Sequence, residues 1–338
     1  MSNPLDTLNP GQRMMQLITG IWATQIVYGA ARYSLADHLR DRALTAQEIA
    51  DAEGLDRRST LRFLRACESL GLVRTDGLRY SSTDLLETLR KGEAGSLRGF
   101  AQVMGAPGHW LPWGRFTEAL RTGDRQTVPA LGTEIFEYYR SNSDEAAAFM
   151  EAMSGLTAPV SAEVARLLHT SGHRRVIDVG GAAGTLIFSI LHANPDLQGV
   201  VFDQPDVVPS AALAAREAGL SSRVEIAAGD FFKAIPEGDL YLLRYILHDW
   251  DDDSCLKILR NCRKAAQAGT RLAIIEHLLE PGAGSPFTHL MDLNMMVLLP
   301  GRERSLEEYQ SLLSSAGFGE ISVTRTETSM VILTTGIV

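Results

Sequence analysis

Cysteine is scarce in this chain, and its thiols are scattered. Cys67, Cys255 and Cys262 are the only ones in 338 residues, and no C-x-x-C pair occurs among them. That spacing excludes a disulfide framework or a zinc finger and leaves reduced structural thiols of a cytosolic protein as the expectation. Long apolar runs are missing as well. Nothing approaches the ~20 apolar residues of a membrane span, and no basic patch followed by an apolar stretch opens the chain, so a cytoplasmic protein without a membrane partner is expected. A basic excess is also lacking: 32 Lys and Arg face 41 Asp and Glu, a net charge of -9, which speaks against a nucleic-acid partner. What is present is ordinary globular material, 45% hydrophobic and 22% charged, enough for one large domain or two smaller ones.

Two regions are expected, 1–160 and 161–338. The first reads as helical. Its opening segment, Met14 to Leu39, is apolar over more than one face (Met15, Leu17, Ile18, Ile21, Trp22), the pattern of a terminal helix buried by a partner subunit. Thr45-Ala46-Gln47-Glu48 is a capping box that opens a short helix ended by Gly54. A second helix runs from about Arg57 to Leu70, and Leu72 to Tyr80 forms a hairpin about Asp76-Gly77. Helix, turn, helix and hairpin make a winged-helix pattern. From Thr45 to Tyr80 six arginines balance six acids, and Asp56 sits at the mouth of the second helix. Zero net charge favours a scaffold or dimerisation use of this pattern over DNA binding.

The second region alternates strands with helices. Apolar runs at Val176–Val179, Val200–Asp203, Val224–Ala227, Leu240–Leu243 and Leu272–Glu276, separated by helical patterns, predict a doubly wound parallel α/β sheet. Ile321–Val323 and Met330–Thr334 are too close for a crossover helix, so that pair is expected to be antiparallel. A parallel sheet with an antiparallel terminal hairpin is the methyltransferase variant of the fold rather than the dehydrogenase one.

The chemistry-bearing stretches fall at strand ends. Asp178-Val179-Gly180-Gly181-Ala182-Ala183-Gly184 is a strand running into a tight turn and a helix N-terminus, which brings bare backbone against a ligand. The dinucleotide pattern G-x-G-x-x-G is broken at Ala182 and Thr185, so a nucleoside ligand without a pyrophosphate fits better than a nicotinamide. Asp203 ends the second strand, where a carboxylate accepts ribose hydroxyls. Asp230, in Gly229-Asp230-Phe231-Phe232, reads equally as an adenine ligand or as a cap after a strand. Arg244-Tyr245-Ile246-Leu247-His248-Asp249-Trp250 follows the fourth strand and carries an imidazole suited to general-base work. Asp251, Asp252 and Asp253 favour the next helix through its dipole over metal binding, and no metal-ligand spacing is seen.

Taken together, Asp178-Val179-Gly180-Gly181, Gly229-Asp230-Phe231-Phe232, Leu247-His248-Asp249-Trp250 and Gly301-Arg302-Glu303-Arg304 resemble the cation-independent small-molecule O-methyltransferase family, over nearly the whole chain. The resemblance implies a class I methyltransferase Rossmann-like catalytic domain after an N-terminal winged-helix dimerisation domain, hence a homodimer. It implies S-adenosylmethionine as methyl donor, S-adenosylhomocysteine as product, and no metal. Gly180 would approach the methionine part, Asp203 the ribose, and Asp230, Phe231 and Trp250 the adenine. Arg244, where many relatives have lysine, would reach the adenine side with a non-equivalent planar fork. His248 would be the general base, flanked and oriented by Glu276 and Glu303. His109, Trp110, Phe149, Met153, Asn294, Met295 and Leu298 would line the site of a small aromatic acceptor, although the one-turn spacing of Phe149 and Met153 equally fits core packing. The alternatives weighed are a relative using the donor in decarboxylation or hydroxylation, a small-molecule-responsive regulator, and a dehydrogenase. The intact His248, Glu276 and Glu303 set favours transfer of a methyl group to a phenolic or polycyclic natural product.

Overall fold

The computed structural model describes residues 9–280, 282 and 285–337. They divide into two compact units that are interleaved in sequence. One comprises residues up to Trp110 together with Tyr139–Leu156, and the other Leu111–Tyr138 together with Thr157 onward. The division expected at residue 160 falls inside one continuous helix, Ser143–Leu167. The excursion at 111–138 joins the later unit through its hydrogen bonds. Gln126 N–H donates to Val297 O at 2.7 Å, and Trp113 Nε1 donates to Asn294 Oδ1 at 2.8 Å.

In the first unit the opening apolar segment is not one helix. It is broken at Thr19 into Pro10–Ile18 and Gly20–Arg32. Leu17 and Trp22 are more than 60% exposed, and Met15, Ile18 and Ile21 are similarly bare. The winged-helix pattern forms as read. Thr45 caps Ala46–Glu53 with Glu48 closing the capping box, and Gly54 ends that helix in the left-handed region. Asp56 caps Arg57–Ser69 by accepting from Ser59 N–H, so this carboxylate already satisfies the helix N-terminus where a phosphate would dock. The hairpin pairs β2 (Val73–Thr75) with β3 (Arg79–Ser82), and β1 (Leu44–Thr45) completes a small sheet.

The second unit holds the large sheet. Its strands among the described residues are β4 (Arg175–Val179), β5 (Gln198–Asp203), β6 (Val224–Ala228), β7 (Gly238–Arg244), β8 (Ala266–His277), β9 (Ser322–Arg325) and β10 (Met330–Gly336). They lie in the order β6-β5-β4-β7-β8-β10-β9. Five adjacent strands are parallel, and β10 is antiparallel to both β8 and β9, as the short final connection required. Both faces are apolar and covered, with separate buried clusters about Tyr241 and Leu272 on one face and Leu242 and Ile187 on the other. The chain winds outward from β4 to β6, then returns to β7, so the order reverses between β4 and β7. A crevice opens at such a reversal, at the carboxyl ends of the strands.

Candidate active site

Five strands deliver the expected polar residues to that one edge. Gly180 leaves β4, Asp203 ends β5, Asp230 follows β6, Arg244 ends β7 ahead of His248, and Glu276 lies one residue before the end of β8. The glycine turn is held open by backbone geometry. Gly180, Ala182 and Gly184 have φ of 71°, 49° and 80°, so the middle residue occupies a conformation that its side chain disfavours. Ala182 N–H donates to Asp203 Oδ2 at 2.9 Å, and Gly180 N–H to Phe202 O at 2.8 Å, which fixes the turn against the end of β5. A side chain at Gly180 would run into Ile246.

Beside this turn lie buried polar atoms without protein partners: Asp178 Oδ2, Arg244 Nε and Arg244 Nη2. Burial pushes the Asp178 carboxyl up to about 7, against the opposing pull of the Arg244 guanidinium. Burial likewise raises the Asp203 carboxyl. Unsatisfied buried donors and acceptors around a glycine cradle are what a zwitterionic nucleoside ligand would complete. β4 and β5 separate the Arg244 strand from β6, about 14 Å at ordinary strand spacing, and the charges that act on its guanidinium are those of Tyr245, Asp178 and Glu276. Asp230 itself accepts from Phe232 N–H at 2.9 Å and pairs with exposed Lys233, the local-cap geometry its spacing allowed. Phe231, Phe232 and Trp250 meet edge to face at centroid distances of 4.7–6.1 Å, an aromatic cluster packed against the buried core on one face of the sheet.

His248 is 5% exposed. Its Nδ1 lies 2.8 Å from Glu303 Oε1, and its Nε2 lies 3.3 Å from Asp249 Oδ1. Burial alone would depress the imidazole, but the charges of Glu303 and Asp249 outweigh it and push the ring up to about 10. Burial also lifts Asp249 to about 7, with His248 pulling the other way. Glu276 has a different task from the one expected. Its Oε1 accepts from Ile246 N–H at 3.1 Å and Leu247 N–H at 2.8 Å, and its Oε2 accepts from Tyr309 Oη at 2.8 Å. It flanks the ring but orients the backbone leading to His248 in place of the ring itself. Ligand atoms of His248, Glu276 and Glu303 come within 4.8 Å of one another, a spacing that could hold a metal ion. Apart from Glu303 Oε2, the atoms of that set already engage protein groups.

The segment 301–304 braces this loop. Arg304 is fully buried, and it donates to Leu247 O and Trp250 O at 2.7 Å each and to Asp252 Oδ1 at 2.8 Å. Gly301 sits so close to the backbone of His248 and Asp249 that no side chain fits. Asp249, Arg304 and Tyr309 are what the sequence reading left without a role. The first two stand inside motifs already singled out, whereas Tyr309 gave no signal beyond helical periodicity.

The expected acceptor residues divide between the units. In the first, His109 is buried, lies 3.4 Å from Tyr139 Oη, and is held neutral by burial that pushes its pKa down to about 4. Phe149 stacks on Tyr139 and, with Met153, packs around Val103, Ala148 and Ala152, which is the core packing their spacing allowed. Trp110 is half-buried. In the second unit Asn294 accepts from Trp113, Met295 is buried, and Leu298 packs with Ala119 and Val297. A cleft of about 690 Å³ lies along Asp292, Met296 and Leu299 down to Glu303, a lining that includes none of these seven residues.

A parallel sheet with a reversed terminal strand, a glycine turn and a buried imidazole past the carboxyl end of β7 are the marks of a nucleoside-dependent methyltransferase. Comparison with known proteins gives the particular kind. The sequence matches the O-methyltransferase domain over residues 113–319 and the O-methyltransferase dimerisation domain over residues 15–91. It is 35% identical over 307 residues to the phenazine O-methyltransferase PhzM of Lysobacter antibioticus, covering 90% of each chain. Its structure resembles that of LaPhzM, with a TM-score of 0.95, 33% identity, and 98% and 100% of the two chains covered. It also resembles human N-acetylserotonin methyltransferase in complex with S-adenosylmethionine, with a TM-score of 0.89, 27% identity, and 100% and 99% covered. The chain therefore belongs to the S-adenosylmethionine-dependent O-methyltransferases. No described helix is long and apolar enough to cross a membrane.

Proposed function

We propose that this enzyme methylates a phenolic hydroxyl of an aromatic or polycyclic natural product, with His248 as general base. The observation that carries the reading is the buried His248–Glu303 pair at the carboxyl edge of β7. S-adenosylmethionine, when bound, supplies a methyl group on a positively charged sulfur. A phenol of ordinary pKa ~10 is a poor nucleophile at neutral pH, and its proton must be taken as the new bond forms. Nδ1–H of His248 donates to Glu303; the Nε2 proton must first leave to solvent, which displacement of the Asp249 carboxylate by the incoming hydroxyl favours, and Nε2 then accepts the phenol proton. Glu276 keeps the peptide N–H groups of Ile246 and Leu247 in register, and Glu303 stabilises the imidazolium that forms.

On this reading the turn at Gly180, with Arg244 and Asp178, takes the amino-acid end of the donor, Asp203 the ribose, and Asp230, Phe231 and Trp250 the adenine. The acceptor residues are His109, Trp110, Phe149, Met153, Asn294, Met295 and Leu298. The product is S-adenosylhomocysteine, and no metal takes part. Relatives named for phenazine and for 3-amino-4-hydroxybenzoate methylation support a flat aromatic acceptor. The exposed apolar residues from Met14 to Trp22 support a homodimer, buried free thiols support a cytoplasmic setting, and the capped, charge-balanced winged helix supports a scaffold role without nucleic acid.

The deciding experiment is His248→Ala, assayed with labelled donor against a panel of phenols. Turnover should fall at least ~100-fold, the usual range for a lost general base, while donor affinity stays within about twofold. Wild-type turnover in that variant would remove His248 from the role.

A further inference from the structure

Tyr245 stands between the cofactor-side guanidinium and the base, in a backbone conformation that an aromatic residue avoids. Its φ is 52°; among the described residues only Ser34 and Ala182 share a positive φ without being glycine. Such outliers persist only where surrounding contacts over-determine them. Here three contacts do so. One face of the ring lies on the His248 imidazole, with centroids 4.8 Å apart and planes 12° from parallel. The Arg244 guanidinium carbon lies 4.3 Å from the ring centroid. The hydroxyl reaches His277 Nε2 at 2.8 Å.

The direction of that last bond follows from the other nitrogen. His277 Nδ1 lies 3.1 Å from Ser329 O, a carbonyl that can only accept, so Nδ1 carries the hydrogen and Nε2 is the acceptor. Tyr245 Oη therefore donates to His277. His277 is buried on β8, and burial pushes its pKa down, which keeps the ring in this neutral tautomer. The tyrosine ring is thus fixed at its tip as well as along its face.

We propose that Tyr245 is a positioning residue for methyl transfer: its clamped ring sets the plane of the His248 imidazole and stabilises the cation formed there. This rests on the reading of His248 as the base. Glu303 bonds Nδ1, and Asp249 lies 3.3 Å from Nε2 as a charge contact, so a single hydrogen bond from the protein resists rotation of the ring about its Cβ–Cγ bond. A hydroxyl that takes the place of Asp249 leaves only that bond. The face contact with Tyr245 then decides where the Nε2 lone pair points, and misdirection at this stage lowers the rate without weakening binding. A π face against the imidazole also favours its protonated form. The groups facing the ring are Glu303, Asp249 and Tyr245, with Glu276 and His277 behind them.

The test uses Tyr245→Leu, Tyr245→Phe and Tyr245→Gly in the full chain, with His248→Ala beside them. Two readouts are needed, steady-state methylation and the NMR titration of the His248 ring in the protein alone. Tyr245→Leu should lower kcat about tenfold with both KM values within about twofold, and should lower the His248 midpoint by about half a pH unit, the equivalent of a modest cation–π contact. Tyr245→Phe, which keeps the stack, should recover most of kcat. Tyr245→Gly, in which release of the strained φ offsets only part of the lost ring contacts, should melt lower than wild type and show the full loss of kcat. Unchanged kcat and an unchanged His248 titration in Tyr245→Leu would overturn the proposal, as would a loss confined to donor KM. If His248→Ala retains wild-type turnover, it is the base assignment that fails. If that variant is inactive while Tyr245→Leu is normal, only the role of Tyr245 fails.

Discussion

Gly301→Ala tests whether the 301–304 segment governs the base. A Cβ at this position would fall within the backbone at His248 O and Asp249 C and would lie 2.6 Å from Trp250 N, against 3.4–4 Å for an ordinary contact. Its neighbours are peptide atoms that cannot rotate aside, so the two segments must separate by about 1 Å or more. Overpacking of this kind costs about 1–3 kcal/mol. For a unit of this size that corresponds to a melting temperature lower by roughly 2 to 12 °C. The same separation draws Glu303 off Nδ1 and Arg304 off the carbonyls of Leu247 and Trp250. A misplacement of about 1 Å at a reacting group costs on the order of 100-fold in rate. The assay compares kcat at 20 °C below the variant's own midpoint with donor affinity by calorimetry. Gly336→Ala, whose Cβ would meet nothing within 4 Å, is the control and should change neither rate nor affinity. A Gly301→Ala enzyme with wild-type kcat, whether or not its midpoint falls, would refute the claim that this segment positions His248.

Three further outcomes follow. Ala182→Gly should stabilise the protein: removing a positive-φ side chain returns about 1–2 kcal/mol, less about 0.4–1 kcal/mol for the freer unfolded chain, so the melting temperature should rise or hold; a clear fall would contradict the left-handed turn. A base works deprotonated, and His248 is raised to about 10, so kcat/KM should climb with pH well above the usual imidazole range; Asp249→Asn removes a charge that raises it and should move that limb to lower pH, which a pH–rate profile reads directly. Leu17→Glu with Trp22→Glu should convert a dimer into a monomer in sedimentation, because both side chains are exposed on the opening helices; an unchanged mass would place the interface elsewhere.

Much of the fold was legible because it is written in short-range pattern. The β4–β8 runs, the capping box at Thr45 and the antiparallel end of the sheet all follow from apolar periodicity, caps and connection length. The break at Thr19 is marked in the sequence only by Gly20, a signal masked by the apolar pattern that Ile18 and Ile21 carry across it. The passage of residues 111–138 to the second unit was also hidden. It depends on bonds such as Gln126 to Val297, which join segments far apart in the chain.

The sequence by itself determined the strand order's raw material, the glycine turn and the placing of His248 just after a strand end, because each depends on residues within a few positions of one another. Tertiary structure alone decided how the carboxylates around that histidine divide their work. Glu303 and Glu276 are both acids at the same edge, and nothing local separates them. One reaches the imidazole and the other the peptide N–H groups of Ile246 and Leu247, because the β7–β8 register and the bridge between Leu278 and Arg304 fix their distances from the loop. The left-handed Tyr245 belongs to the same class of fact: its cost is local, and the contacts with Arg244, His248 and His277 that hold it there come from packing.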